Sequence, residues 1–512
     1  MLQAIFSLPI WIILLITLPA LYILSALFLA LIDPLRHIPG PFLARFTRAW
    51  YCWEIYKGSF ECTNQQLHSR YGPIVRIAPH EYSIDDANSA RVIYSTSGGS
   101  FLKAPWYWSW SPPDPNLASV FADLNPHRHS AQRRKFANYY SMSSVVGYEI
   151  YVDNCTKLLS RRFEELLDSG RIVDLQRWLH CYAFDVIGEI TFGQRFGFLD
   201  TGEDKDGIFK AVDDKRSYST FVGIWSWTHK WLHPLLPIPS GNAYVAKYTE
   251  NRIEQKVKLL KDPRDGEKDM APTPDMMTRV LMASEKDPGK VTRRDLFELC
   301  HSNIFAGSDT TAITLSSVLY HLLKFPATYQ KLREEIETAA SESRVSDPVT
   351  FKEALGLPYL QAVIKEGLRV HPAVGLGLQR IVPAEGTTLA GQFFPGGSTV
   401  GINAYVAHQN TSVFGLDANT WRPERWLEFE EQGRGVEVER YFLSFGMGSR
   451  TCIGKNIGLL EISKLIPQLV RRFDFELDED VKRNEGLVCE NRWFVKQMNF
   501  RGRVVGKREA RG

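Results

Sequence analysis

The stretch Phe445-Gly446-Met447-Gly448-Ser449-Arg450-Thr451-Cys452-Ile453-Gly454 constrains this chain more than any other. One cysteine stands in a glycine-rich loop, two residues after an arginine, and a helical pattern follows from about Lys455 to Arg471. A thiolate there lies near a helix N-terminus, where free N–H groups and the helix dipole favour negative charge. Glycines 446, 448 and 454 let the backbone pass close to a flat ligand. An exposed thiolate of lowered pKa suits an axial ligand to haem iron. The bland alternative is a buried free thiol in a tight turn, the usual state of a lone cysteine. The fixed offsets of Phe, Gly, Arg, Cys and Gly favour the ligand.

At 512 residues the chain is long enough for several domains. A net charge of +3 is small for that length and gives no support to nucleic-acid binding. The seven cysteines are odd in number, scattered and free of CxxC pairs, which argues against a disulfide framework and a structural zinc site. That usage fits a reducing compartment.

From Leu2 to Ile32 no side chain is charged, and the run is long enough to cross a bilayer. A cleaved signal peptide is the rival reading, but no basic segment precedes the run and no small-x-small site follows it. Arg36, Arg45 and Arg48 follow it, so the positive-inside rule puts the remaining chain in the cytosol. Ile38-Pro39-Gly40-Pro41 reads as a stiff hinge between anchor and globule. The expected division is an anchor over 1–32, a Pro-rich linker over 33–48 and one catalytic domain over 49–512.

Two alternating segments, Ile74–Ile77 and Glu81–Ile84, read as strands. Residues 101–124 crowd Trp106, Tyr107, Trp108 and Trp110 against three prolines, which disfavours an α-helix. These aromatics either line an apolar pocket or form a small core within a surface loop. A helical run over 127–140 carries His129 and Arg133 on one face, both able to donate to a carboxylate. Thr292-Arg-Arg-Asp295 is a capping box that starts a helix reaching about Phe325. In its middle lies Ala306-Gly307-Ser308-Asp309-Thr310-Thr311, where an acid beside a hydroxyl is costly to bury without a role. Gly307 thins the helix where a flat ligand could press, and a local kink from back-bonded hydroxyls is the alternative. Glu366 and Arg369 share a face of a helix over 358–370, and Arg422-Pro-Glu-Arg425-Trp426 follows downstream.

Together these segments resemble the cytochromes P450. Phe445, Gly448, Arg450, Cys452 and Gly454 match the family's haem-binding loop, and residues 306–311 match its oxygen-activating motif. Phrases such as Tyr71-Gly-Pro-Ile-Val-Arg76-Ile resemble fungal enzymes of secondary metabolism near the pisatin demethylase-like group. The resemblance implies a mainly α fold with a small β region, preceded by an N-terminal transmembrane helix. It implies haem b, with Cys452 as the iron ligand and Phe445 and Gly454 shaping its loop. Arg133, Arg380, Arg450 and His129 would anchor the haem propionates, with His129 standing where many members have Trp. Asp309 and Thr310 would handle protons and oxygen. Glu366, Arg369 and Arg425 would form a buried cluster that holds the core. Residues 373–378, Phe494 and a roof containing Phe221, Trp225, Trp227 and Trp231 would border the pocket.

The implied activity is insertion of one oxygen atom of O2 into a lipophilic small molecule: a terpenoid, alkaloid or polyketide intermediate. No Gly-x-Gly-x-x-Gly motif or flavin domain accompanies it, so electrons must come from a partner, an NADPH-cytochrome P450 reductase. The implied location is the endoplasmic reticulum membrane. Two rivals are a haem-thiolate isomerase that needs no reductase and a non-enzymatic haem-binding sensor. Retention of Asp309-Thr310 speaks against both.

Overall fold

The hydroxyl of Thr292 accepts from the Asp295 N–H at 3.1 Å, and the Asp295 carboxylate accepts from the Thr292 N–H at 2.9 Å. This reciprocal cap starts the longest helix, Arg293–Lys324, about 48 Å of rise. Pro326 begins the next helix and ends this one at Phe325. The computed structural model describes residues 10–95, 101–236, 240–261, 273–287, 289, 291–483 and 486–508. The sequence over 261–275 is charged and Pro-rich and reads as an exposed loop, and most of it lies outside them.

After the N-terminal helix α1 (Ile10–Ile32), the helices that build the site are α2 (Pro126–Phe136), α3 (Leu175–Phe192), α4 (Ile208–Ile224), α5 (Arg293–Lys324), α6 (Pro358–Val370) and α7 (Lys455–Arg472). The strands are β1 (Ile74–Ala78), β2 (Glu81–Ile84), β3 (Leu102–Lys103), β4 (Arg380–Ile381), β5 (Thr399–Gly401), β6 (Cys489–Arg492) and β7 (Phe494–Gln497). The first five make one sheet of order β1-β2-β5-β4-β3, with β2 and β5 parallel and the other pairs antiparallel. β6 and β7 form a hairpin turning at Trp493, whose φ is +82°. The C-terminal half of α5 is buried almost all round, from Thr311 to Tyr320, because α3, α6 and α7 pack on its different sides. The fold is mainly helical with small sheets, as expected.

Three expectations need correction. The Pro-rich segment, read as a stiff hinge between anchor and globule, is bound to the sheet. Asp33 pairs with buried Arg76 at 2.8 Å, Arg76 Nη2 donates to Leu35 O at 2.7 Å, and Arg76 N donates to Pro39 O at 2.8 Å. Leu35 and Ile38 are buried, so residues 33–40 lie along β1. Trp227 and Trp231 do not roof a pocket; they turn outward with 69% and 64% of their surface exposed. Gly307 does not make room for a ligand: a Cβ there would meet Ile187 Cγ1 of α3 at 2.9 Å, so the missing side chain lets α3 and α5 approach.

The aromatic loop resolves as two short 3₁₀ turns, Pro105–Trp110 and Pro115–Leu117. Trp106 and Tyr107 are buried, and the Trp106 ring lies 4.6 Å from that of Trp493. Trp106 Nε1 donates to Thr220 O at 3.2 Å. The loop is thus a small aromatic core set between α4 and the β6–β7 hairpin.

The first nine residues of the uncharged N-terminal run lie outside the described residues, and the run continues as α1 with Pro19 inside it. Among the described residues no helix is long and apolar enough to cross a membrane.

Candidate active site

Cys452 N donates to Phe445 O at 2.8 Å, closing the loop expected to hold the thiol. Gly446 and Gly448 sit at φ +67° and +68°, in the left-handed region. A Cβ on Gly448 would stand 1.8 Å from Tyr94 O, so glycine is required there by contact with the protein itself. Lys455 Nζ lies 5.7 Å from the Phe445 ring centroid. Gly454 places its missing Cβ 3.9 Å from Cys452 Sγ, at an ordinary φ. The loop is tied to α6, where Ser444 Oγ donates to Leu368 O at 2.8 Å.

Cys452 has accessible surface, yet its thiol is closely surrounded by protein. Burial pushes the thiol pKa up, while the Gly454 N–H, Arg133, the Lys455 N–H and the Lys455 charge pull it down. Burial prevails, so the sequence expectation of an intrinsically low pKa is not met. Coordination to a metal deprotonates a thiol outright, which removes the conflict.

Around this thiol stand more cations than the protein neutralises. Arg380 is buried on β4, donates to Gln379 O at 2.9 Å and Leu378 O at 3.5 Å, and has no acidic partner among the described residues. Arg450 Nη1 donates to Asp123 O at 2.8 Å. Across the β3–β4 pair, Lys103 faces Arg380 and lies buried with Nζ 4.1 Å from the Tyr107 ring. Burial and then Arg380 push Arg450 down to about 10. Burial, Arg380 and Arg450 hold Lys103 well below its usual range. His129, buried on α2, is pushed down to about 3 by burial, Arg450, Lys103, Arg133 and Arg380, and is neutral. The nearby Asp123 carboxylate is engaged by Arg128 at 2.6 Å. A buried group of like charges without its own anions fits a ligand bearing carboxylates. A thiol beside that group fits the haem the resemblance implies.

α7 meets α5 next to the expected oxygen motif: a Cβ on Gly458 would lie 3.7 Å from Thr311 Oγ1. Cys452 and Thr310 are thereby brought to one region. Thr310 Oγ1 donates to Ala306 O at 2.8 Å, and Ser308 and Thr314 also bond back one turn. Asp309 is fully buried. His180 Nε2 of α3 donates to its Oδ1 at 2.5 Å, Arg216 Nη1 of α4 approaches Oδ2 at 3.2 Å, and Lys496 Nζ of β7 approaches Oδ1 at 3.2 Å. Asp213 bridges Arg216 at 2.8 Å and Lys496 at 2.6 Å. Burial opposes ionisation of Asp309, but Lys496, His180 and Arg216 outweigh it and hold the carboxyl far below the usual range. Burial outweighs Asp309 in lowering His180, so a neutral imidazole donates to an ionised carboxylate.

Sequence reading missed Lys103, His180, Arg216 and Lys496. Only the pairing of β3 with β4 places Lys103 beside Arg380, and the other three come from elements far apart in the chain. The Glu366, Arg369 and Arg425 cluster forms as expected, with Arg369 Nη2 at 2.7 Å and Arg425 Nε at 3.1 Å from Glu366 Oε1.

The family pattern described as cytochrome P450 matches residues 42–490. A pisatin demethylase of Fusarium vanettenii is 40% identical over 488 residues, covering 94% of this chain and 92% of its own. The cytochrome P450 monooxygenase cicH of Emericella nidulans is 36% identical over 503 residues, covering 95% of this chain and 97% of its own. The cytochrome P450 monooxygenase gsfF of Penicillium aethiopicum is 34% identical over 463 residues, covering 88% and 90%. The chain belongs to the cytochrome P450 family and is a haem-thiolate monooxygenase.

Proposed function

We propose that this enzyme oxygenates a lipophilic intermediate of fungal secondary metabolism, a terpenoid, alkaloid or polyketide. One oxygen atom of O2 enters a substrate C–H bond and the other leaves as water. Two protons and two electrons complete the balance, the electrons coming from NADPH through a membrane-bound cytochrome P450 reductase. Relatives named as a pisatin demethylase and as monooxygenases support a small organic substrate. The observation that carries the reading is the unneutralised group of Arg380, Arg450 and Lys103 near the Cys452 loop, with α7 packed against α5 at Thr311.

In this reading Cys452 Sγ binds the haem iron, within the loop from Phe445 to Gly454. Arg133, Arg380 and Arg450, with His129 and Lys103, hold the propionates by charge-assisted hydrogen bonds. Haem supplies the oxygen-activating chemistry. Thr310 keeps its hydroxyl proton on Ala306 O, leaving oxygen lone pairs for a water or an oxygen ligand. Asp309 is an ionised acceptor at rest, and His180 Nε2 and Lys496 Nζ hold the protons nearest to it. Phe494 and residues 373–378 border the substrate.

The enzyme is held at the endoplasmic reticulum membrane by a single N-terminal anchor, residues 1–32, with residues 33–48 as a linker laid on the sheet and 49–512 as the cytosolic catalytic domain. The described side chains of α1 support this, since Leu15, Leu18, Leu21 and Phe28 are each at least 60% exposed. Phe42, Leu43, Trp227, Trp231 and Leu235 are also exposed. Arg48 Nη1 donates to Ile224 O at 3.4 Å and joins the two segments that carry them. These residues suit a membrane surface.

The test is a carbon monoxide difference spectrum of the reduced protein in membranes, beside Cys452→Ser. A strongly red-shifted Soret band that vanishes in the variant is expected. A wild type that binds haem without that band would overturn the thiolate assignment.

A further inference from the structure

Arg216 and Lys215 are neighbours on α4 but face different partners. Arg216 is committed to Asp309 and Asp213. Lys215 Nζ hangs 5.3 Å from the centroid of the Phe305 ring, and among the described residues it has no ion pair and no hydrogen bond. Glu298, the acid nearest in effect, approaches Arg294 at 3.5 Å instead. α4 packs on the aromatic turn Pro105–Trp110 and on helix Ser240–Lys261, and reaches α5 through the long side chains of Lys215 and Arg216.

Phe305 lies one turn before Asp309 on α5, about 6 Å of rise away. The His301 ring packs on Phe305 at 4.7 Å and on Phe297 at 5.3 Å. Burial, with Lys215 adding to it, keeps His301 neutral at about 3. A lysine on a helix surface normally extends its stem over apolar groups and keeps its ammonium in water. Lys215 is half-buried with its ammonium over the Phe305 ring, and burial pushes the amine below the usual range. An amine over an aromatic ring, with no ion pair among the described residues, is open to an anion from outside the chain.

We propose that Lys215 anchors the substrate, and that the substrate is a lipophilic acid whose carboxylate or ionised phenol oxygen pairs with Nζ while its apolar body lies on Phe305. The proposal rests on the monooxygenase reading and narrows its substrate class. The apolar remainder then extends along α5 toward Asp309 and Thr310, which sets the oxidised carbon at a distance from the acid group.

Biphenyl-4-carboxylic acid, 2-naphthoic acid and dodecanoic acid, each beside its methyl ester, test this with the haem-loaded enzyme. Dissociation constants are read by calorimetry and by the shift of the Soret band. At least one acid is expected to bind about tenfold or more tightly than its ester. Lys215→Gln should remove that gap by weakening the acid and sparing the ester, and Lys215→Arg should retain it. No preference for any of the three acids, including no binding, overturns the proposal, as does a gap that survives in Lys215→Gln. The carbon monoxide band separates the two failures. Its absence in the wild type sinks the haem-thiolate reading, whereas an intact band without acid preference sinks the anchor alone.

Discussion

Trp426 Nε1 donates to Glu366 Oε2 at 2.9 Å and completes a carboxylate already shared by two arginines. Oε2 also accepts from Arg369 Nε at 2.8 Å, while Oε1 accepts from Arg369 Nη2, Arg425 Nε and the Arg422 N–H. Five donors converge on one buried acid. Glu366, Arg369 and Arg425 are shielded from water, so each bond replaces hydration that the carboxylate has lost. Trp426→Phe keeps an aromatic ring but removes one donor and part of a buried indole, and should destabilise the haem-loaded protein by about 1–2 kcal/mol or more. Urea unfolding checks this, and an unchanged midpoint would show the indole bond to be neutral.

His408 connects the same cluster to the cysteine loop. Its Nδ1 lies 3.0 Å from Arg369 O, and its Nε2 accepts from the Leu443 N–H at 2.9 Å. Both bonds together require the neutral ring with the proton on Nδ1. Burial pushes the imidazole down to about 3. The folded value is depressed, so the stabilisation is present above the unfolded value near 6.5 and is lost as pH falls toward 3. Between pH 7.5 and 5.5 the loss from this group is about 1.4 kcal/mol. His408→Gln should flatten the fall in unfolding free energy by about that amount. An unaltered pH slope would mean that His408 is protonated without cost.

What could be read in advance was what lies close in sequence. The capping box at Thr292 and Asp295, the helix Pro358–Val370 and the Cys452 loop each occupy a few consecutive positions, and the structure reproduces them. The role of Trp426 was not legible, because its N–H matters only once Glu366, sixty positions away, lies beside it. The cage around Asp309 draws on residues 180, 216 and 496, which no periodicity links. Pro39 and Gly40 signalled a hinge, since turn chemistry is local, whereas the Asp33–Arg76 pair that pins the segment spans 43 positions.

Thr310 is expected to govern how oxygen is used, with little bearing on the fold. Among the described residues its hydroxyl bonds only to Ala306 O within the helix, so Thr310→Ala leaves no buried partner unsatisfied there beyond a carbonyl already in a helical ladder. Product formed per NADPH should fall about tenfold or more while NADPH oxidation continues. Equal coupling in variant and wild type would remove Thr310 from the chemistry.

Asp309 should stay ionised throughout the working pH range because Lys496, His180 and Arg216 outweigh its burial. Its folded pKa is depressed, so its stabilising charge is present above the unfolded value near 4 and persists under mild acid. Lys496→Met removes the largest opposing charge and lets the carboxyl titrate upward toward the usual range. The variant is expected to lose about tenfold to a hundredfold in kcat and to gain an acid limb, absent from the wild type, as pH falls toward the ordinary carboxylate value near 4. A merely structural lysine would lower the amount of folded enzyme without creating that limb.

Removing haem should reverse the effect of Lys103. In the loaded enzyme its ammonium adds to Arg380 and Arg450 opposite two propionates, and its loss weakens that attraction. In the haem-free protein the same ammonium is buried among like charges, with Phe121 O as its hydrogen-bond acceptor and the Tyr107 and Phe121 rings within 4.3 Å. Lys103→Met keeps the stem packed on those rings and removes the charge. The variant should therefore be less stable than wild type with haem and more stable without it, by about 1 kcal/mol in each direction. Thermal melts of both forms measure the two signs. Destabilisation of both forms would mean that the Phe121 carbonyl bond outweighs the repulsion, and would take Lys103 out of the propionate site.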